Sequence, residues 1–266
     1  MTSIMNIIIT GGHSGIGYEL TKKVRSAGHK VGLVVRDESR KKEAILLFGQ
    51  DSQIEFFTAD LSRREQVNKL ARDIKSSWGE LDGLFNNAGV LTAEEQTSPQ
   101  GVELQFEVNS IAPYTLATQL AELLSQAKKP FIVSTVTERL HKEKALDIED
   151  LKRPKKFVKL MGSYLKSKLV LALLMKNFAK KHPKINVLSV NPGGNKTKMT
   201  SSNAVPLLFR PLVKLMFSHP SKGAQRLFDA AFSKPRFESG AFVTKGSQKE
   251  LKITLSEGEV AEILCV

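Results

Sequence analysis

The sequence lacks the features of a disulfide-stapled or membrane-embedded protein. It contains one cysteine, Cys265, in 266 residues. A single thiol excludes an internal disulfide framework and fits a reducing compartment. No apolar run reaches the ~20 residues that a membrane-spanning helix needs. The short apolar run at the amino terminus has no basic region before it, so we expect a buried strand there and not a signal peptide. These absences favour a cytoplasmic protein without an integral membrane segment.

Acidic residues are fewer than basic ones, 27 against 40, which gives a formal net charge of +13. Such a charge fits a nucleic acid, an anionic membrane surface or an anionic small ligand. Aromatic residues form only 7% of the chain. They do not interleave with the basic clusters at 152–156 and 180–184, as a base-stacking surface requires. We therefore expect no nucleic-acid partner, and interpret the charge as a lysine-rich surface with an anionic cofactor.

Short apolar runs alternate with longer amphipathic segments along the chain. The runs predict strands at 4–10, 30–35, 54–58, 81–86, 131–135, 185–190 and 241–244. The segments predict helices at 15–27, 38–48, 63–78, 101–124, 164–181 and 221–232. This alternation is typical of an α/β fold with a doubly wound, Rossmann-like parallel sheet of about seven strands and helices on both faces. We expect residues 1–266 to form one domain.

Two regions, 137–163 and 196–220, show no regular pattern. Both follow strands in the second half of the predicted sheet. Ligands of open α/β sheets bind at the carboxyl ends of the strands, so substrate contacts are expected there. The apolar stretches 205–213 and 215–217 suit a pocket lid, a loop packed on the core, a subunit contact or a membrane-surface segment.

A glycine-rich turn with Gly11, Gly15 and Gly17 follows the first strand and opens the first helix. Glycine allows a tight turn and a close backbone approach, and the helix amino terminus offers free N–H groups to a pyrophosphate. His13 and Ser14 are polar turn residues that can approach the phosphates. A plain strand–helix connection is the alternative.

Arg36 ends the second strand, where a dinucleotide site binds the adenosine ribose. An acidic residue at this place binds the 2′-hydroxyl of NAD, whereas an arginine binds the 2′-phosphate of NADP. Arg36 therefore favours NADP(H), and the neighbouring Asp37 leaves NAD(H) open.

Tyr164 and Lys168 are four residues apart and share a helix face. An ammonium near a phenol favours the phenolate, so the spacing predicts a lowered Tyr164 pKa and a general acid–base for carbonyl or alcohol chemistry. Tyr18 and Lys22 have the same spacing in the first helix, which shows that the motif alone is common. Only Tyr164 follows a fifth strand that ends in the hydroxyl residues Ser134 and Thr135.

With these motifs in this order, the chain resembles the short-chain dehydrogenase/reductase family over nearly its whole length. The glycine turn, Asp60 after the third strand, the Asn-Asn-Ala-Gly run at 86–89, Asn109, the Tyr–Lys pair and the Pro-Gly run at 192–193 match that family's motifs. Residues 145–151 and 223–242 are similar to its retinol-dehydrogenase-like and protochlorophyllide-reductase-like branch.

The resemblance implies hydride transfer between a nicotinamide and a carbonyl or alcohol, with a lipophilic small molecule as the expected substrate and no metal. It implies catalytic roles for Tyr164, Lys168, Thr135 and Asn109, with Asn109 helping to hold a water near Lys168. Together with the turn and Arg36, it predicts cofactor contacts by Gly11, His13, Ser14, Gly15, Ile16, Gly17, Arg36, Asp60, Leu61, Asn87, Ala88, Gly89, Tyr164, Lys168, Pro192, Gly193 and Thr197.

One departure concerns Thr135, because the family usually has serine there. Ser134 lies one residue earlier, and strand alternation points it to the opposite face. We therefore assign the substrate-orienting hydroxyl to Thr135.

The quaternary structure and a second class of function stay open. The apolar helix after Tyr164 fits either packing on the sheet or the interface of a homodimer or homotetramer. The alternative function is a non-catalytic, NADP(H)-binding redox-sensing regulator, because a fold does not fix function. A nucleotide-sugar epimerase is disfavoured because its glycine spacing differs and its carboxyl-terminal domain is longer.

Overall fold

The computed structural model describes residues 3–49, 51–138, 140–143, 145–158, 162–197, 217–233 and 237–265. Its strands are β1 (Asn6–Thr10), β2 (Lys30–Val35), β3 (Ile54–Thr58), β4 (Gly83–Asn86), β5 (Phe131–Thr135), β6 (Asn186–Val190), β7 (Ala241–Thr244) and β8 (Ser247–Lys249). Its α-helices are α1 (Gly15–Ser26), α2 (Glu38–Phe48), α3 (Arg64–Ser77), α4 (Leu104–Phe106), α5 (Ala112–Gln126), α6 (Ile148–Lys152), α7 (Ser163–Lys181), α8 (Pro220–Phe232) and α9 (Glu257–Leu264).

The strands form one sheet in the order β3-β2-β1-β4-β5-β6-β7-β8. Strands β1 to β7 pair in parallel, and β8 pairs antiparallel with β7. The strand order reverses between β1 and β4, and such a reversal opens a crevice at the carboxyl edge of an α/β sheet. The predicted Rossmann-like fold is confirmed, and the crevice opens beside the glycine turn.

Side-chain alternation along the strands divides the core between the two faces of the sheet. Ile8, Leu84 and Ile132 pack with α3, α5 and α7 on one face. Ile7 and Ile9 pack with α1 and α8 on the other. Helices on both faces explain why these strands are apolar throughout.

Helix α7 packs entirely within its own chain. All of its aliphatic and phenylalanine side chains are buried. The segment from Leu251 to Leu264 joins the same core, with Val260 and Ile263 buried and the Asn177 Nδ2 donating to the Leu255 carbonyl at 3.2 Å. Packing within the chain therefore accounts for the apolar character of α7, and the oligomeric state stays a prediction.

The sheet has eight strands where about seven were predicted. The missed strand β8 is short and exposed, so it carries no apolar pattern. A two-residue turn joins it to β7, with φ of 52° at Lys245 and 73° at Gly246. Positive φ at both central positions is the geometry that suits tight hairpins. A lysine before the glycine is an uncommon signal for such a turn.

The predicted helix over 101–124 is also corrected, because it is three elements in sequence. Gly101 lies in a turn at φ of 80°, and the Glu103 carboxylate accepts from the Phe106 N–H and so caps α4. A π-helical turn over Glu107–Ile111 then separates α4 from α5. The irregular region 137–163 contains a 3₁₀ turn (Leu140–Lys142) and α6.

Candidate active site

The glycine turn after β1 is tightly closed. A Cβ added at Gly17 would lie 2.2 Å from the Gly11 carbonyl oxygen, and one added at Gly11 would lie 3.1 Å from the Ala88 Cα. Gly11 also has a φ of 66°, in the region that favours glycine. These contacts require glycine at both places, and they leave the backbone exposed to a ligand above it.

The amino terminus of α1 is open to an anion. Ser14 is the N-cap residue, but its side chain makes no capping hydrogen bond, and the first turn of α1 contains no acidic residue. Free N–H groups and the positive end of the helix dipole therefore face the crevice. His13 is half-buried in the turn, and Ile16 packs on the core beneath. The turn fits a pyrophosphate.

The end of β4 supports this turn from below. The Thr10 Oγ1 accepts from the backbone N–H groups of Asn87 and Ala88, each at 3.0 Å. The Asn87 Nδ2 donates to the Thr10 carbonyl at 3.0 Å and to the Gly11 carbonyl at 3.3 Å. The Asn87 side chain therefore binds the turn itself and holds the backbone of the turn in its conformation.

The ends of β2 and β3 carry the residues predicted for the adenosine half. The Arg36 side chain is 63% exposed, and its Nε lies 3.0 Å from the Asp37 Oδ2. Asp37 caps α2 by accepting from the Arg40 N–H, and this bond, followed by the one from Arg36, lowers the pKa of Asp37. The Asp60 Oδ1 accepts from the backbone and side chain of Ser62, and Leu61 packs on the core.

The two hydroxyls at the end of β5 differ in their surroundings. Ser134 is fully buried, and its Oγ accepts from the Asn86 Nδ2 at 3.3 Å. The Thr135 Oγ1 is buried and has no hydrogen-bond partner among the described residues. A buried hydroxyl without a partner is costly, so the Thr135 hydroxyl is a candidate for contact with a ligand. This contrast follows the strand alternation that favoured Thr135.

Tyr164 and Lys168 lie in the first two turns of α7, and burial acts on both. The Lys168 Nζ donates to the Thr135 carbonyl at 2.9 Å, and burial lowers the pKa of Lys168 to about 8. Tyr164 is half-buried, and burial raises its pKa to about 12. The predicted lowering of the Tyr164 pKa is wrong for the free protein, because desolvation disfavours both charged forms.

Asn109 lies in the π-helical turn and clamps the loop after β4. Its Oδ1 accepts from the Val90 N–H at 2.8 Å, and its Nδ2 donates to the Val90 carbonyl at 3.0 Å and to the Ser167 Oγ at 3.1 Å. A Cβ added at Gly89 would lie 3.0 Å from this Oδ1 and 3.2 Å from the Lys168 Nζ. Asn109 and Lys168 therefore flank one narrow space above Gly89.

The loop after β6 reaches back over the glycine turn. The Thr197 Cγ2 lies 3.1 Å from the position of a Cβ on Gly15. Pro192 is buried and Gly193 has a φ of 81°. The structure thus brings the 192–197 loop, the glycine turn and the Tyr–Lys pair to the carboxyl edge of one sheet. Residues 198–216, most of the predicted substrate loop, lie outside the described residues.

Three polar residues of this region could not be identified from the sequence alone. The Asn195 Nδ2 donates to the carbonyls of Pro192 and Gly193, and the Arg226 Nη1 donates to the same Pro192 carbonyl at 2.8 Å. Ser167 accepts from Asn109. Asn195 lies shortly after the Pro-Gly run at 192–193 and Ser167 lies between Tyr164 and Lys168, but only the fold shows their partners. Arg226 comes from α8, and no local pattern connects it with the loop.

Neither a metal site nor a membrane span is found in the part of the chain that the structure describes. No group of three or more His, Cys, Asp or Glu side chains among those residues could hold a metal ion. No described helix is long and apolar enough to cross a bilayer.

The strand order of the parallel sheet reverses beside a glycine-rich turn, and a Tyr–Lys pair lies at the same edge of the sheet. This arrangement is typical of Rossmann-like dinucleotide-binding proteins. A family profile described as short chain dehydrogenase matches residues 5–143, more than half of the chain. The short chain dehydrogenase/reductase dpchH of Colletotrichum higginsianum is 31% identical over 253 residues, which cover 84% of this chain and 62% of that protein.

Retinol dehydrogenase 14 of Mus musculus is 28% identical over 279 residues, which cover 97% of this chain and 83% of that protein. Among solved structures, 3-ketoacyl-(acyl-carrier-protein) reductase from Brucella melitensis complexed with NADH has a TM-score of 0.67 at 20% identity, over 90% of this chain and 95% of that one. This chain belongs to the short-chain dehydrogenase/reductase family of oxidoreductases, in the retinol-dehydrogenase-like branch.

Proposed function

We propose that the protein is an NADP(H)-dependent oxidoreductase that interconverts a carbonyl and an alcohol on a lipophilic small molecule. One observation carries this proposal: the Thr135 hydroxyl has no partner among the described residues, and the Thr135 carbonyl binds Lys168, which follows Tyr164 by one turn on α7. A hydroxyl, a phenol and an ammonium are the groups that carbonyl reduction needs. No observation favours the regulator, because both acid–base residues are present.

A bound reduced nicotinamide would supply the hydride that adds to the carbonyl carbon. The Tyr164 phenol donates its proton to the carbonyl oxygen, so that the product is an alcohol and Tyr164 is left as a phenolate. The Thr135 hydroxyl orients that oxygen, and Lys168 stabilises the phenolate by its charge. Solvent protons restore Tyr164, with Asn109 helping to hold a water near Lys168. In the alcohol oxidation direction the proton moves back to Tyr164.

The cofactor contacts follow the edge of the sheet. The turn from Gly11 to Gly17, with His13, Ser14, Gly15 and Ile16, would hold the pyrophosphate, and Asp60 and Leu61 would contact the adenine. Residues 87–89, Tyr164 and Lys168 would hold the nicotinamide ribose. Pro192, Gly193 and Thr197 would hold the carboxamide. The open helix end and the glycine contacts described above fit this group.

Arg36 supports a preference for NADP(H). Its exposed guanidinium follows β2 and can bind a 2′-phosphate with two charge-assisted hydrogen bonds. Asp37 already caps α2 and pairs with Arg36, so it is less free to accept from a ribose hydroxyl. The structural neighbour complexed with NADH shows why the choice requires a direct test.

The test of the cofactor is a titration with NADPH and with NADH, followed by nicotinamide fluorescence. We expect the wild-type protein to bind NADPH more tightly. Arg36→Ala should weaken NADPH about tenfold, because it removes charge-assisted hydrogen bonds, and should change NADH less than twofold. Arg72→Ala, an exposed arginine in the middle of α3, is the matched control and should change neither.

Equal weakening of both dinucleotides by Arg36→Ala would contradict the role of Arg36. Preference of the wild-type protein for NADH would overturn the NADP(H) assignment. Absence of binding to either would overturn the proposed function as a whole.

A lipophilic substrate is supported by the relative named retinol dehydrogenase 14 and by the apolar sequence over 205–217. The cytoplasmic location, and a homodimer or homotetramer as the possible assembly, remain proposals from the sequence.

Thr135 can be tested against Ser134 in the same strand. Thr135→Val keeps the shape but removes the hydroxyl, and should lower kcat about 10²-fold by leaving the substrate oxygen poorly oriented. Thr135→Ser should retain most of the activity. Ser134→Ala should cost about 1 kcal/mol of stability through its lost hydrogen bond but leave kcat within about threefold. The reverse ranking, measured by dinucleotide consumption and urea unfolding, would move the role to Ser134.

A further inference from the structure

Ser167 lies in α7 between Tyr164 and Lys168 in sequence, and it is fully buried. Its hydroxyl connects two residues of the proposed acid–base site. The Ser167 Oγ donates to the Tyr164 carbonyl at 2.8 Å and accepts from the Asn109 Nδ2 at 3.1 Å. Ser167 therefore links the first turn of α7 to the π-helical turn that carries Asn109.

The direction of these two hydrogen bonds is fixed by chemistry. A serine hydroxyl has one proton, and a backbone carbonyl can only accept. The Ser167 hydroxyl therefore donates its proton to the Tyr164 carbonyl, and its oxygen accepts the hydrogen bond from Asn109. Only the amino group of an asparagine amide can donate, so Ser167 requires Asn109 to turn its Nδ2 inward. The Asn109 oxygen then faces the Val90 N–H, as the 2.8 Å contact shows.

The orientation of this amide matters because its oxygen and the Lys168 ammonium border the same space above Gly89. A Cβ at Gly89 would be 3.0 Å from the Asn109 Oδ1 and 3.2 Å from the Lys168 Nζ. In the present orientation an acceptor faces the space next to the ammonium. With the amide turned over, a donor would face both that space and the Val90 N–H, and two donors repel.

We propose that Ser167 is a positioning residue that, together with the Val90 backbone, holds the Asn109 amide in this orientation, and through it the polar surroundings of Lys168. This inference rests on the proposed function for its kinetic consequences. Its structural part, the fixed amide, can be measured without any turnover.

The chain offers a matched control for this proposal. The Ser110 Oγ donates to the Ser167 carbonyl at 2.7 Å, so it joins the same two helical segments by another buried serine bond. Ser110→Ala removes a comparable packing and hydrogen-bond contribution but leaves the Ser167 hydroxyl and the Asn109 amide intact.

The experiment compares Ser167→Ala, Ser167→Thr and Ser110→Ala in steady-state kinetics across pH. Ser167→Ala should lower kcat about tenfold through misplacement at the site, and should shift its pH profile, with the NADPH dissociation constant within twofold of wild type. Ser167→Thr keeps a hydroxyl that can bond the preceding turn, and it should restore the profile. Ser110→Ala should keep the wild-type kcat and profile, although its urea midpoint falls as much as that of Ser167→Ala.

A second measurement observes the amide directly. In protein labelled with ¹⁵N-asparagine, the Asn109 side-chain signal is identified by its loss in Asn109→Asp. Both Nδ2 protons should be protected from solvent exchange in the wild type, and one should lose protection in Ser167→Ala only. Unchanged protection in Ser167→Ala would overturn the proposal, as would equal kinetic loss in Ser167→Ala and Ser110→Ala. If the wild type turns over no carbonyl or alcohol, the proposed function fails while the exchange result still decides the role of Ser167.

Discussion

Tyr164→Phe is expected to lower turnover by about 10²- to 10⁴-fold, the range that a positioned general acid contributes. Phenylalanine keeps the ring and removes only the proton donor, so the fold and the cofactor contacts of the neighbouring residues remain. Because the Tyr164 hydroxyl also contacts the ribose in the proposed complex, we expect the NADPH dissociation constant to rise, but by no more than about fivefold, the value of one hydrogen bond. The measurement is NADPH consumption with lipophilic aldehydes and ketones, beside a fluorescence titration of the same protein.

The chain contains its own control for this change. Tyr18 has a lysine four residues later, as Tyr164 has, and the Lys22 ammonium lies 4.5 Å from the Tyr18 ring centroid. The Tyr18 ring packs against Phe48, with the ring centroids 5.3 Å apart. Tyr18→Phe should keep turnover within twofold. Turnover retained in Tyr164→Phe would contradict the assignment of the acid.

The pKa values of Tyr164 and Lys168 predict how the activity of the wild-type protein depends on pH. With a pKa of about 12, Tyr164 holds its proton throughout the physiological range, which suits carbonyl reduction. Alcohol oxidation needs the deprotonated form, whose fraction grows with pH below that value. Oxidation by the wild type should therefore rise with pH, while reduction changes little from about pH 6 to pH 8. Above about 8 Lys168 loses its charge, and its support of the phenolate is lost with it.

The strands and long helices could be predicted because each has an apolar pattern of the right period, and most bounds differ by one or two residues. The exceptions have physical reasons. Strand β8 is exposed and polar, so only its pairing with β7 makes it a strand. The π-helical turn, Glu107–Ile111, interrupts a helical pattern without a sequence signal. Strand β8 depends on its hairpin partner, and the π-helical turn contacts residues that are distant in the sequence, Arg64 and Ser167.

Some features of the candidate site could likewise be predicted from the sequence, and others could not. Alternation along β5 favoured Thr135 over Ser134, and their surroundings differ, since the Ser134 hydroxyl has a partner and the Thr135 hydroxyl has none among the described residues. The pKa of Tyr164 could not be predicted from its spacing to Lys168, because four residues on a helix say nothing about burial. Desolvation raises the Tyr164 pKa and lowers that of Lys168. The contacts of Asn109 with Val90 and Ser167 also required the fold.

The buried ion pair behind Asn109 gives the largest expected effect on stability. Glu107 opens the π-helical turn, and its side chain has 0% exposure while that of Arg64 has 21%. The Arg64 Nε and Nη2 lie 2.8 and 2.9 Å from the two carboxylate oxygens. Arg64→Met removes the partner and leaves a buried carboxylate, which should cost about 3–5 kcal/mol of unfolding free energy.

Two comparisons separate this cause from a general loss of packing. Arg63→Met is the control, because that exposed neighbour lies 3.9 Å from an exposed Glu65 and should change stability by less than about 0.5 kcal/mol. The double variant Arg64→Met with Glu107→Met should regain most of the loss, since an apolar pair leaves no charge unpaired. Urea unfolding of the three variants beside the wild type measures these differences. A deficit that the double variant does not relieve would show that Arg64 stabilises the protein by packing, and the π-helical turn beneath Asn109 would then need another anchor.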